Sequence, residues 1–173
     1  DCSYNLLTEL PTLPLGLTTL YCYNNRLNSL PTLPNTIETL LTNSNNLTIL
    51  PTLPTSLFSF DCRYNKLTSI PALPNTLRTI DCRYNRLVYL PPLNSLGALY
   101  CSNNFLVSLP SLSTNLGELD CSNNYLSSLP ALPANLQELN CSNNNIVSLP
   151  SFPNNLKELY CNNNNLTSLP DLP

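Results

Sequence analysis

The sequence predicts a repeat solenoid: a curved parallel β-sheet on the concave face, extended or polyproline-like segments on the convex face, and little or no helix. Three observations predict it. The 173 residues repeat themselves at a step of twenty, and a fixed period of that length marks an array of stacked units. Within each copy the apolar residues follow one pattern, clearest at Leu77–Leu90, where Leu77, Ile80, Cys82, Leu87 and Leu90 are apolar and Asn85 interrupts them. The second half of most copies reads Leu-Pro-x-Leu-Pro, as at Leu30–Pro34 and Leu50–Pro54.

The first half of each copy is one short strand. In Thr79–Arg83 the side chains alternate, so Ile80 and Cys82 face inward while Thr79, Asp81 and Arg83 face outward. The second half cannot be helical, because prolines three apart remove N–H donors and fix φ in a very short segment. Every copy then runs in the same direction, and the strands stack in parallel. At ~4.8 Å per step, eight steps make a sheet roughly 38 Å long. No copy can bury its own leucines, so stability is a sum over neighbouring contacts.

Taken in order, the cysteine column places nine copies at Cys2, Cys22, Thr42, Cys62, Cys82, Cys101, Cys121, Cys141 and Cys161. The step from Cys82 to Cys101 is nineteen, the missing residue falling in Pro91–Leu96. Asp1 starts inside a strand and Pro173 stops within a turn, so residues 1–173 are expected to be one uncapped array of about nine strands within a longer protein.

On these residues the chain resembles leucine-rich-repeat proteins over its whole length. It is most similar to the short, twenty-residue bacterial type, marked by Leu-Pro-x-Leu-Pro as at Leu10–Pro14 and Leu129–Pro133. The resemblance implies a binding scaffold, and in some secreted bacterial effectors such an array is joined to a ubiquitin-ligase domain. The chain departs from the effector pattern in its cysteines and in Cys-Ser-Asn-Asn runs at Cys121–Asn124 and Cys141–Asn144. Those features look similar to repeat proteins of environmental bacteria and of viruses that infect amoebae.

Composition narrows the chemistry. Histidine is absent, which removes the commonest general base and every Ser-His or Cys-His nucleophile pair. A net charge of −3 gives no general attraction to nucleic acid or anionic membranes, and no apolar run reaches the ~20 residues of a membrane span. The eight cysteines read as an inward column of free thiols. Strand spacing keeps neighbours beyond disulfide reach, and zinc would need paired ligands that the spacing does not supply. Persistent free thiols lean toward a reducing compartment, a cytosol or host cytosol, with a virion or cell surface as the alternative. The asparagine column from Asn25 to Asn164 reads as structural, its amides satisfying backbone groups where the chain leaves each strand. No cofactor or metal is expected.

Functional information is left to the outward positions. Asp61, Arg63 and Tyr64 recur as Asp81, Arg83 and Tyr84, and tyrosines including Tyr100 and Tyr160 fall on the expected concave side. Glu118, Glu138 and Glu158 share one column, where like charges on adjacent strands oppose each other. Lys157 is the one base near them in sequence. These eleven residues are the candidate partner-binding set. The first reading is a non-catalytic protein-protein interaction module. The second is the recognition segment of an effector whose catalytic domain lies beyond Pro173. The third is a structural surface or virion component, self-associating end to end through open sheet edges.

Overall fold

The computed structural model describes residues 1–172, so Pro173 and the turn expected to end there lie outside the described residues. Eight three-residue strands form one parallel sheet in sequence order: β1 (Thr19–Tyr21), β2 (Thr39–Leu41), β3 (Ser59–Asp61), β4 (Thr79–Asp81), β5 (Ala98–Tyr100), β6 (Glu118–Asp120), β7 (Glu138–Asn140) and β8 (Glu158–Tyr160). No helix interrupts them among the described residues. The solenoid is therefore as the repeat predicts. Each strand is shorter than expected, ending at Asp81 rather than Arg83 in β4. About nine strands were expected and eight form among the described residues; the first copy joins β1 and its exit through bonds such as Cys2 N–H to Tyr21 C=O, 2.8 Å, Tyr4 N–H to Tyr23 C=O, 3.0 Å, and Asn25 Nδ2 to Cys2 C=O, 2.9 Å.

Past each strand the backbone turns through a left-handed residue, three positions on from the strand's last residue in β4. In all nine copies the second residue after the cysteine column has positive φ, from Tyr4 through Tyr64 (54°) and Tyr84 (53°) to Asn163 (55°). Asparagine tolerates this region; for tyrosine it costs on the order of 1–3 kcal/mol. The next residue is the column asparagine, and its role is structural throughout. Asn124 accepts from the Leu106 N–H at 2.9 Å and donates to the carbonyls of Cys101, Cys121 and Ser122, each at 3.1 Å. Asn45, Asn65, Asn85, Asn104 and Asn144 make equivalent sets.

The convex side is built by the prolines. The second proline of Leu-Pro-x-Leu-Pro opens a tight turn in which its carbonyl accepts from the leucine N–H three residues on, as from Leu57 to Pro54 at 3.1 Å and Leu77 to Pro74 at 3.1 Å. Proline loses nothing there, because only its carbonyl is needed. Hydroxyls and amides sew adjacent turns together: Thr76 Oγ1 reaches the Thr55 and Leu57 carbonyls, both at 2.8 Å, and Asn155 reaches the Ala134 carbonyl at 2.8 Å. The nineteen-residue copy takes its deletion at this surface. Register is kept, Thr79 pairing Ala98, while Leu93 and Leu96 remain buried.

Between the two surfaces runs one continuous core of leucines with the cysteine column at its concave edge. All eight cysteines are free thiols. Burial pushes Cys22 and Cys141 up to about 12 and Cys62, Cys101 and Cys121 well above their ordinary value, so these behave as small apolar groups. Thr42 fits the column for a specific reason. Its hydroxyl donates to the Asp61 carbonyl at 3.2 Å, as the Cys82 thiol does to the Tyr100 carbonyl at 3.4 Å.

Two outcomes follow in urea denaturation. Cys121→Thr should change stability by less than about 1 kcal/mol, since its hydroxyl has the same neighbouring carbonyl to meet. Asn124→Ala should cost about 2 kcal/mol, because it orphans the buried Leu106 N–H and removes one of the two donors at each of the Cys101 and Cys121 carbonyls, which keep Asn104 and Asn144.

Candidate functional site

The concave face presents two outward columns on the strands and a third just past them. Register brings Asp61 beside Asp81, and Glu118 beside Glu138 beside Glu158. The two clusters solve the like-charge problem differently. At the aspartates, Arg83 forms a bidentate pair with Asp81, Nε to Oδ1 at 2.9 Å and Nη2 to Oδ2 at 2.6 Å. Arg63 bridges both acids, its Nη1 lying 3.5 Å from Asp81 Oδ2 and its Nε 3.2 Å from Asp61 Oδ2, the latter off the hydrogen-bonding direction. Asp81 holds the Arg83 guanidinium still more firmly protonated than usual.

Both aspartates also have a structural task that alternation alone does not reveal. Asp61 Oδ1 accepts from the Arg63 N–H at 3.1 Å and Asp81 Oδ1 from the Arg83 N–H at 3.2 Å. Asp120 and Asn140 do the same for Ser122 and Ser142. These are turns closed by the side chain two residues back. The signal was legible as an Asp or Asn two residues before a polar residue at a strand end.

Among the described residues these three glutamates form no ion pair. Lys157, expected to be their nearest base, is turned away to Gln137 Oε1 at 2.8 Å. It sits one column earlier, on the opposite side of the alternation. Tyrosine hydroxyls take its place: Tyr100 donates to Glu118 Oε2, and Tyr160 to Glu158 Oε2 at 3.1 Å. Glu138 has no such partner among the described residues. Burial, the bond to Glu118 and the charges of Glu118 and Glu138 push the Tyr100 phenol up to about 12, and the Glu158 bond raises Tyr160.

Between the clusters lies a pocket of about 190 Å³, lined by Arg83, Tyr100, Glu118, Asp120, Glu138 and Tyr160 among others. Arg83 also stands over the Tyr100 ring, 5.3 Å from its centroid, so the pocket joins the neutralised aspartate–arginine cluster to the glutamate column. Of the eleven predicted residues it collects Arg83, Tyr100, Glu118, Glu138 and Tyr160. Asp61, Arg63 and Asp81 join through their ion pairs, and Glu158 through Tyr160. Tyr64 and Tyr84 are placed apart: they stack on each other at the strand exit, ring centroids 4.3 Å apart and planes 10° apart. Missed by sequence reasoning were Asp120 and Asn140, whose column was hidden by the tyrosine and leucine that alternate with them.

Among the described residues no group of three or more His, Cys, Asp or Glu side chains is placed to hold a metal ion, and no helix is long and apolar enough to cross a membrane.

Comparison with known proteins gives a consistent picture. A family model described as leucine-rich repeats (two copies) matches residues 134–173. No curated protein matches the chain. Among solved structures, the chain is 32% identical to YopM, a leucine-rich effector protein from Yersinia pestis, with a TM-score of 0.78, covering 99% of this chain and 62% of that one. It is 31% identical to a Shigella effector leucine-rich-repeat domain, with a TM-score of 0.62, covering 94% and 67%. It is 32% identical to the functional domain of InlJ from Listeria monocytogenes, described as including a cysteine ladder, with a TM-score of 0.79, covering 89% and 36%. The chain thus spans less than two-thirds of the Yersinia and Listeria chains.

The aspartate cluster has a pH signature. Burial, with Asp81 adding to it, pushes Asp61 up to about 6 from its ordinary 3.8, against the opposing pull of the Arg63 N–H and of both guanidinium groups. Between those values the folded chain keeps a proton that the unfolded chain has lost, so stability falls as pH rises through the window. Urea titrations at pH 4 and pH 7 should show that fall, and Asp61→Asn should flatten it.

Proposed function

We propose, from the premise that the chain belongs to the leucine-rich-repeat family in its short bacterial type, that it is a non-catalytic module binding a protein partner on its concave face. Leucine-rich-repeat folds are in general non-catalytic interaction scaffolds, and the chain has the fold of effector repeat domains. The choice of face rests on one observation: the pocket beside Tyr100, where acids without a cation adjoin acids that are neutralised. Its volume of about 190 Å³ is below the ~300–1,000 Å³ of small-molecule sites. It suits one side chain of a partner rather than a free ligand.

A partner fitting this surface places an Arg or Lys between Glu118 and Glu138, flanked by the Tyr100 and Tyr160 rings. Opposite charge steers the encounter and fixes orientation, and tyrosine rings supply rigid apolar area with a polar tip. The Arg63–Asp61–Asp81–Arg83 cluster is internally paired and sets a neutral boundary to the contact. Tyr64 and Tyr84 extend it toward the strand exit, where their left-handed backbone costs stability that asparagine would not. That expense supports a role outside the scaffold.

The second reading, a recognition segment of a secreted effector, is favoured by the Yersinia and Shigella effector structures that the chain matches. It shares the same binding face and adds a catalytic partner domain. Either reading goes with a reducing compartment, in which eight unpaired thiols persist.

Capture experiments with the immobilised chain test the concave site. Glu138→Lys should lower recovery of the partner at least tenfold, and raised salt should lower it further. The pair Tyr64→Ala and Tyr84→Ala should weaken capture without unfolding the array. Capture unchanged by both sets of substitutions would overturn the concave site.

A further inference from the structure

The flank on which the chain leaves each strand carries a second feature, separate from the concave pocket. In the copies built on Cys62 and Cys82, the left-handed residue is Tyr64 or Tyr84, and the outward residue two positions on is Lys66 or Arg86. In the next two copies the arrangement is exchanged: the left-handed residues are Asn103 and Asn123, and the outward residues are Phe105 and Tyr125. Replacing a bulky ring by a short amide leaves space in front of the rings that follow. The result is a groove of about 360 Å³, within the ~300–1,000 Å³ range of ligand sites.

Its lining is neutral throughout, consisting of asparagines with Phe105 and Tyr125. The asparagines fall into two classes. Asn104 and Asn124 form the floor, and their amides are fully engaged with backbone groups. Asn103, Asn123 and Asn143 form the outer row and are lightly used. Asn103 and Asn123 donate only to the adjacent Ser102 and Ser122 hydroxyls, at 3.4 and 3.3 Å, and Asn143 accepts from Asn163 at 2.8 Å. The Oδ1 atoms of Asn103 and Asn123 and the Nδ2 of Asn143 have no protein partner among the described residues.

The outer row is held ready. Its residues sit at φ of 57°, 53° and 54°, and their N–H groups are tied to the next copy, as Asn123 to the Ser142 carbonyl at 2.9 Å. The three amides therefore step along the groove at about the ~4.8 Å strand spacing. The rings beside them are also available. Phe105 and Tyr125 lie 6.1 Å apart with planes 16° apart, too far to cover each other as Tyr64 and Tyr84 do at 4.3 Å. Both are about half exposed, at 46% and 55%.

An even row of neutral donors and acceptors beside open ring faces matches a ligand made of rigid rings, with polar groups at their edges and C–H faces between. A charged ligand gains nothing from a neutral lining. An extended peptide repeats its side chains at ~6.6–6.8 Å, out of step with the amides. Successive rings of a β-1,4-linked pyranose chain rise by a length close to one strand step and turn over in alternation, so each amide, being both donor and acceptor, meets one ring edge. We propose that this groove is a binding site for a neutral oligosaccharide. Asn103, Asn123 and Asn143 bond its hydroxyl or acetamido groups, and Phe105 and Tyr125 pack against its C–H faces.

The test is an NMR titration of the ¹⁵N-labelled full chain with chitohexaose and with cellohexaose, using a hexaproline peptide as the competing class. At least one sugar should shift the side-chain amide signals of Asn103, Asn123 and Asn143 while leaving the Tyr100 region still. Phe105→Ala with Tyr125→Ala should weaken that binding at least tenfold. Asn123→Gly, which removes the amide but keeps the left-handed backbone accessible, should also weaken it, and thermal melts of both variants check that the array remains folded. No shift with either sugar, shifts confined to the concave face, binding undiminished in both folded variants, or binding of hexaproline alone would overturn the proposal.

Discussion

The structure depends on one repeated constraint: a buried backbone that must change direction after three residues of strand without losing its hydrogen bonds. A parallel sheet supplies partners only while the strands last. At the exit, one asparagine per copy supplies the rest, donating its amide hydrogens to carbonyls of its own and the preceding copy, while its oxygen accepts from the preceding copy's leucine N–H. Each copy is thereby fixed to its neighbour in register as well as in direction. The left-handed residue just before the asparagine is what aims the amide inward, which is why positive φ recurs in every copy whatever side chain it carries. Prolines do the corresponding work at the back, contributing a carbonyl and requiring no donor.

Strict register has an electrostatic consequence. A substitution copied from one repeat to the next places identical charges side by side at the strand spacing. The aspartates of β3 and β4 are reconciled by Arg63 and Arg83, and the same carboxylates close the turns that end their strands. The glutamates of β6, β7 and β8 are reconciled only by phenol hydroxyls at two of the three positions. The solenoid thus has a self-satisfied region and an unsatisfied one, meeting at Tyr100. The proposed binding face is centred on that junction because neutralisation there is incomplete.

Almost all of the fold was legible in the sequence, since Leu77–Leu90 states the strand, the core and the exit in fourteen letters. Register too followed from the constant step, and the single deletion was placed correctly at Pro91–Leu96, where a surface turn could absorb it. Strand length was not legible, because alternation continues past Asp81 while the backbone does not; the turn is set by a local side-chain bond and by φ, neither of which has a period. The site was legible in part. Columns of like residues could be read directly, but the direction of a long side chain could not, and Lys157 proved to be aimed at Gln137 rather than at the glutamates. Nor could the sequence separate the stacked Tyr64 and Tyr84 from the pocket, since alternation ends at Arg63 and Arg83 and the left-handed backbone that turns both rings outward has no period.

If the asparagine amides carry the array, the N–H groups they accept from must be among its most protected, although none lies in a strand. Native-state hydrogen exchange measured residue by residue tests this at Leu27, Leu47, Leu67, Leu87, Leu106 and Leu126. The account predicts that these amides exchange only on global or multi-repeat unfolding, as slowly as the central strand residues Leu40 and Ile80. Fast exchange at the leucines beside slow exchange in the strands would contradict it, showing that the sheet alone holds the copies together.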